Sequence, residues 1–321
     1  MIPFGSSSNT TANAAVPDAP TMGYTIVSTG PNLCDLYSVD LVTGVLTDLP
    51  ATTSEAACAA DLAVAPNGTV YGIAGTQYLG PVAVAPAYDS FGGAELITYS
   101  ADGTPSGLSL TIDDLPITGL SGGGIAVDAA GTVYIIAINE TTCDPRLTAP
   151  GSFDPSDTYV FSCLYSVNLT TGALTQIGEA LAANTTTWGL TSCTTNLWTV
   201  SDQVPPLSID SEPASLAFPW LSINPTTAAV TPGGGANQLF GYDCLASHTT
   251  IYALSGDGIG DTSLSGPAVV APPQTLGTVD PNTGTFTPTV AISPTLQLGP
   301  FPAFAVVPPQ EPAPAPPVFT H

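Results

Sequence analysis

The chain has 321 residues, 44% of them hydrophobic, which suffices to bury a large core in one all-β domain. It carries 25 acidic side chains against a single basic one, Arg146, and no Lys, for a formal charge of −24. Without cations it cannot displace the counterions of nucleic-acid phosphates or hold an anionic lipid surface, so both are excluded as partners.

Residues 1–22 have little propensity for regular structure and read as an N-terminal extension. Met1-Ile-Pro-Phe-Gly does not make a leader peptide, so a leader removed earlier is expected. No apolar run approaches the roughly 18 residues a membrane helix needs, and no membrane insertion is expected.

From Gly23 onward the chain repeats. The clearest unit is Leu36-Tyr-Ser-Val-Asp-Leu-Val-Thr-Gly44-Val-Leu-Thr-Asp-Leu49, followed by Asp61-Leu-Ala-Val-Ala-Pro-Asn-Gly-Thr-Val-Tyr71-Gly-Ile73. A second copy runs from Leu96 to Tyr134, a third from Leu164 to Trp198, a more worn fourth from Trp220 to Tyr252, and a fifth from Leu276 to Val307. Each unit holds four strand signals separated by Asp/Asn-x-x-Thr-Gly and Asn-Gly type turns, whose residues tolerate positive φ. Four antiparallel strands per repeat predict a blade, and five units predict a five-bladed β-propeller. The fifth unit lacks its last strand, and Gly23-Tyr-Thr-Ile-Val27 supplies one. The N-terminal strand is therefore expected to close the ring and remove its sheet edges. A sixth blade hidden in the insertions near 75–94, 138–162 and 202–216 is the alternative. The propeller spans 23–307, and the Pro-rich tail 308–321 reads as an extended spacer.

The Leu-Tyr-Ser-Val-Asp-Leu-x-Thr-Gly and Ala-Val-x-Pro-Asn-Gly-Thr-Val-Tyr-Gly motifs resemble repeats of secreted bacterial propeller proteins, the broad group around lactonase-like and quinoprotein-like propellers. The resemblance covers residues 23–307 and implies the architecture. The enzymes of that group use His, Glu, Lys or Arg around the central channel, groups this chain nearly lacks.

The six cysteines, Cys34, Cys58, Cys143, Cys163, Cys193 and Cys244, come without CxxC or clustered His, which favours disulfides in an extracellular or cell-surface protein over zinc. Of 15 connectivities, blade topology favours Cys34–Cys58, Cys143–Cys163 across an insertion, and Cys193–Cys244 between neighbouring blades.

Candidate chemistry is sparse. Gly119-Leu-Ser121-Gly-Gly123 fits a hydrolase nucleophile pattern, but it leads into a strand and has no partnered His, His248 falling in a hairpin turn. Asp257-Gly-Ile-Gly-Asp261 is a weak Ca²⁺ loop candidate against the stronger reading of a solvated turn, and no other cofactor is expected. Trp188, ending a polar loop, is a weak sugar-stacking candidate; Trp198 and Trp220 read as core. Asn9, Asn67, Asn139, Asn168 and Asn184 sit in Asn-x-Ser/Thr sequons. Acid cannot build strong cationic repulsion, because only Arg146, His248, His321 and the amino terminus would be positive once every carboxylate is protonated; tolerance of low pH is expected. The functional expectation is a non-catalytic extracellular structural or adhesive protein, self-assembling through its tails. A carbohydrate-binding propeller contacting surface glycans is the alternative, and a secreted hydrolase the third reading.

Overall fold

The computed structural model describes residues 20–30, 33–50, 58–74, 76–77, 94–117, 120–138, 162–181, 185–203, 218–236, 240–245, 249–255, 274–295 and 303–309. The two predicted tails lie outside these residues, except 20–22 and 308–309. No helix occurs among them, and the strands form a propeller of five blades.

Blade 1 begins with β1 (Met22–Gly30), β2 (Leu33–Asp40) and β3 (Leu46–Asp48). Blade 2 follows with β4 (Asp61–Val64), β5 (Val70–Ala74), β7 (Glu95–Tyr99) and β8 (Pro105–Ser109). The short β6 (Thr76–Gln77) leaves blade 2 and pairs in parallel with β11 (Leu120–Val127), while β9 (Thr111–Ile112) and β10 (Leu115–Pro116) make a small separate hairpin. β11, β12 (Val133–Ile138), β13 (Ser162–Val167) and β14 (Leu174–Ile177) are blade 3. β15 (Thr185–Cys193), β16 (Asn196–Gln203), β17 (Phe218–Ile223) and β18 (Val230–Ala236) are blade 4. β19 (Phe240–Cys244), β20 (Ile251–Ser255), β21 (Thr275–Asp280) and β22 (Thr285–Ala291) are blade 5. The chain then returns to blade 1, where β23 (Phe304–Val306) becomes its innermost strand and pairs antiparallel with β1, Gly23 opposite Val306.

That closure fixes the relation between repeat and blade. A sequence unit such as 36–73 supplies the two outer strands of one blade and the two inner strands of the next. The unit is therefore a blade shifted by half, and the shift is what leaves one strand at each end of the chain to latch the ring.

The core is divided into five seams, one per blade junction. Strand residues alternate between faces, and both faces of a blade are covered, so neighbouring residues feed different seams. Leu62 and Val64 pack against Ile26, Cys34 and Leu36 of blade 1, while Ala63 packs with Ile125 and Ile135 of blade 3. Val133 and Ile135 face blade 2, and Tyr134 and Ile136 face Leu190 and Leu197 of blade 4. This double burial is why the inner strands read as unbroken apolar runs rather than as an alternating pattern.

The Asp/Asn-x-x-Thr-Gly turn holds the outer edge. Asp40 Oδ1 accepts the amides of Val42 (2.9 Å) and Thr43 (2.8 Å), and Gly44 takes φ +72° and donates to the Asp40 carbonyl at 2.8 Å. The turn then stitches to the preceding blade: Ser293 donates to the Gly44 carbonyl at 2.9 Å, and Thr111 to that of Gly172 at 3.0 Å. The worn fourth unit keeps the same geometry with Ala228, at φ +56°, where the other turns have glycine.

Cys34 is bonded to Cys58, joining blades 1 and 2, and Cys193 to Cys244, joining blades 4 and 5. Cys163 is disulfide-bonded as well, and Cys143 lies outside the described residues. Two described disulfides are consistent with an extracellular protein.

Candidate functional site

Two places in the ring gather polar groups. The first is its axis. Asp61 opens β4 and Asp243 lies in β19; both are innermost strands, and both side chains are buried. Asp61 Oδ2 accepts the amides of Ile125 on β11 (2.9 Å) and Leu190 on β15 (3.0 Å), while its Oδ1 accepts the Leu62 amide at 2.9 Å. Asp243 Oδ2 accepts the Val306 amide of β23 at 2.8 Å. Its Oδ1 takes the Thr191 hydroxyl of β15 at 2.7 Å and the Cys244 amide at 2.8 Å. One carboxylate thus joins blades 2, 3 and 4, and the other joins blades 4, 5 and 1.

Backbones come close enough there for two glycines to be required. A Cβ on Gly124 would run into the backbone of Gly189 and Leu190. Gly189 itself takes φ +64°, at the bulge of β15, under the ring of Tyr242. Tyr242 accepts the Val200 amide at 2.9 Å and meets Trp220 edge-on, with centroids 4.6 Å apart. Burial pushes Asp61 well above the usual carboxylate range, against the pull of its three amide donors, and the Asp243 charge pushes the same way. Burial likewise raises Asp243 to about 7. Their hydrogen bonds to strands of neighbouring blades fasten the ring. No group of three metal-ligating side chains exists among the described residues.

The second place is a cleft of about 650 Å³ between blades 4 and 5. The half-buried indole of Trp198 on β16 lies on one side. Facing it is blade 5, with Thr278, Asp280, Asn282, Thr285 and Thr287 along β21, β22 and their turn. The Cys193–Cys244 disulfide ties the two walls together, and Cys193 lines the cleft. Asp280 is exposed, and the Asn282 amide, donating at 2.9 Å, heads the hydrogen bonds that hold its carboxyl below the usual range, so it is ionised at neutral pH. Among the described residues of the lining it is the only charged one.

The structure distributes the sequence candidates as follows. Ser121 lies within β11, its backbone paired with Ile138 and Gln77, in a strand that turns into another strand rather than a helix. Trp188 is on β15, its backbone opposite Val200. Trp220 is core, and Trp198 packs against the same seam while its exposed part lines the cleft. Asn67 and Asn168 accept the amides of Thr69 (3.0 Å) and Thr170 (2.9 Å) in exposed turns. His248, Asp257, Asp261, Asn9, Asn139 and Asn184 lie outside the described residues. Asp61, Asp243 and Asp280 escaped the sequence reading. Asp61 left a trace, a carboxylate at the head of the apolar run Leu-Ala-Val; Asp280 was hidden by its turn role.

Neither a protein-family model nor a curated protein matches the chain. Solved structures are similar to it at low identity. A putative 6-phosphogluconolactonase from Bacteroides uniformis is 10% identical, with 88% of this chain and 98% of that chain covered and a TM-score of 0.36. A gluconolactonase from Xanthomonas campestris is 12% identical, with 88% and 79% covered and a TM-score of 0.41. A nidogen/laminin complex is 12% identical, with 89% and 98% covered and a TM-score of 0.42.

The lactonase names correct two expectations. Several of these solved structures are named as lactonases, which overturns the expectation of a non-catalytic structural or adhesive protein and the expectation that the chain is no enzyme. The error was to treat the scarcity of His, Lys and Arg as a bar to catalysis, when carboxylates and hydroxyls are also catalytic groups. At 10–12% identity the likeness is one of fold and transfers no activity.

Proposed function

We propose that the protein is an extracellular propeller that takes up and hydrolyses a small, neutral, hydroxyl-rich ester or lactone in the cleft between blades 4 and 5. The observation that carries this is the composition of that cleft: an indole facing threonine hydroxyls, with one ionised carboxylate, Asp280, at the turn. An aromatic face with a few convergent polar groups in a cavity of this size suits a small polar ligand. Among the described residues of the lining the charged group is Asp280, which disfavours a phosphorylated or carboxylated substrate. Asp280 would take the proton of a water attacking the activated carbonyl, as a general base. The disulfides support the compartment. The printed names of the lactonases supply the first compounds to assay and no more.

The test offers the purified protein a neutral aldonolactone and its 6-phosphate and follows acid release at constant pH, with binding measured by calorimetry. Turnover or binding of the neutral compound alone supports the reading. Preference for the phosphate, or inertness towards neutral lactones and esters together with no binding, overturns it.

A further inference from the structure

Blade 4 ends in Gly233-Gly234-Gly235, a run that none of the other described outer strands, β3, β8, β14 and β22, contains. Between the pairs Pro219–Gly235 and Leu221–Pro232, Gly233 and Gly234 stand opposite the single residue Trp220, so β18 bulges there. A bulge re-aims the groups of its strand. The Gly234 amide turns to blade 5 and donates to the Pro281 carbonyl at 2.8 Å. Neither glycine has a positive φ, and what each supplies is room for a close backbone. A Cβ on Gly233 would run into the Pro281 carbonyl oxygen and lie 3.3 Å from the Trp198 ring. One on Gly234 would run into the backbone of Thr283 and Gly284, whereas one on Gly235 meets nothing within 4 Å.

The segment seated on these glycines is the Asp280–Gly284 turn. Asp280 Oδ1 accepts the Asn282 amide at 2.9 Å, and the Gly284 amide donates to the Asp280 carbonyl at 2.7 Å, so the turn is one closed unit. In blades 1 and 3 the corresponding turn is held by the carbonyl of its last glycine, Gly44 or Gly172. Here the body of the turn lies on blade 4, and Trp198, the opposite wall of the cleft, abuts the same Gly233. We propose that Gly233 and Gly234 are positioning residues of the cleft, which set the spacing between the Asp280 carboxylate and the Trp198 indole. At Gly234 the contact is backbone on backbone, with no rotatable side chain to absorb a change. The kinetic half of this inference rests on the hydrolytic reading of the cleft; the seat itself does not.

Gly234→Ala in the full chain tests this, with Gly235→Ala as its control. The methyl at 234 has to push the turn by about 1 Å to reach ordinary contact, and a shift of that size at a reacting group costs roughly 10–100-fold in rate. In Gly234→Ala, kcat for a neutral aldonolactone should fall by that factor with KM changed less than about threefold, while Gly235→Ala keeps both. Gly233→Ala, whose methyl meets the Pro281 carbonyl instead, gives a second kinetic variant. Hydrogen exchange reads the seat without activity: the amides of residue 234 and Gly284 should lose protection in Gly234→Ala and keep it in Gly235→Ala. The wild-type Gly234 amide should itself exchange slowly, which tests the seat even if Gly234→Ala does not fold. Unchanged kcat in Gly233→Ala and Gly234→Ala, with an active wild type, overturns the positioning role and leaves the hydrolytic reading standing. A wild type that neither binds nor turns over neutral lactones and esters overturns the kinetic half together with that reading, and exchange then decides the seat. A fast-exchanging wild-type Gly234 amide, or equal protection in the Gly234→Ala and Gly235→Ala variants, overturns the seat.

Discussion

The Leu190 amide donates to Asp61 Oδ2 at 3.0 Å across 129 residues of chain, from blade 4 to blade 2, past the blade that lies between them. Removing that acceptor leaves the Ile125 and Leu190 donors unpaired in the ring's interior. Asp61→Ala is expected to cost about 2–4 kcal/mol, by loss of buried hydrogen bonds and a cavity. Asp61→Asn, which can still accept from both amides through one oxygen, should cost less. Chemical denaturation of the two variants near pH 5 gives the comparison.

The whole stability curve should have an acid optimum. Asp243, raised by burial to about 7, favours the folded state as pH drops below that value, and Asp61, also raised by burial, acts in the same direction. Asp40, Asp102 and Asp280 act oppositely: hydrogen bonds lower them, so their contribution is present above 3.8 and is lost as pH falls further. A scan of thermal midpoints should therefore peak near pH 4 and decline on both sides, more steeply toward neutrality. An ordinary maximum between pH 6 and 8 would contradict the assignment.

Glycine at the stitching turn can be tested against an internal control. Gly172 and Gly131 both have positive φ, +74° and +84°. A Cβ on Gly172 would strike the Ser109 carbonyl of the preceding blade, while one on Gly131 meets nothing. Gly131→Ala should cost about 1 kcal/mol from backbone strain alone, and Gly172→Ala more than 2 kcal/mol. The converse holds in the fourth unit. Ala228→Gly should gain about 0.5–1 kcal/mol by relieving the left-handed alanine.

In the cleft, charge and structure can be separated because the repeat has already made the substitution elsewhere. Asn168 and Asn224 close the same turn that Asp280 closes. Asp280→Asn should leave the fold intact and reduce turnover by about 10²–10³-fold. Trp198→Ala should instead weaken binding of the neutral substrate. Equal activity of wild type and both variants would move the chemistry away from this cleft.

Reduction of Cys193–Cys244, which closes a separation of 51 residues, should cost about 4 kcal/mol by the chain-entropy estimate. Substrate binding in the cleft should weaken with it, because the bond ties its two walls.

Most of the architecture was legible because it is written in local chemistry. Turn glycines, Asx acceptors and short apolar runs repeat at each unit, and the strand missing after Val307 reappears at Gly23. The half-blade shift was not legible, since it depends on which strand is innermost, and antiparallel neighbours look alike in sequence. The axial carboxylates were hidden for a different reason. Asp61 and Leu190 share no motif or period, and their contact exists only once three blades have set the width of the axis. Trp198 packs on its seam as Tyr71, its counterpart in the repeat, packs on another, and nothing in the repeat marks the cleft that opens beside it.

The latch between Gly23 and Val306 is indifferent to how many units lie between them, so duplication of one repeat would preserve it. The axis is not indifferent. An added blade would enlarge the circle of inner strands and carry Leu190 out of reach of Asp61. Such a ring could still shut at its seam, yet it would be left with a bare acid at its hub. The two aspartates therefore act as a gauge of circumference: they tolerate drift in loops and outer strands, and they hold the count at five.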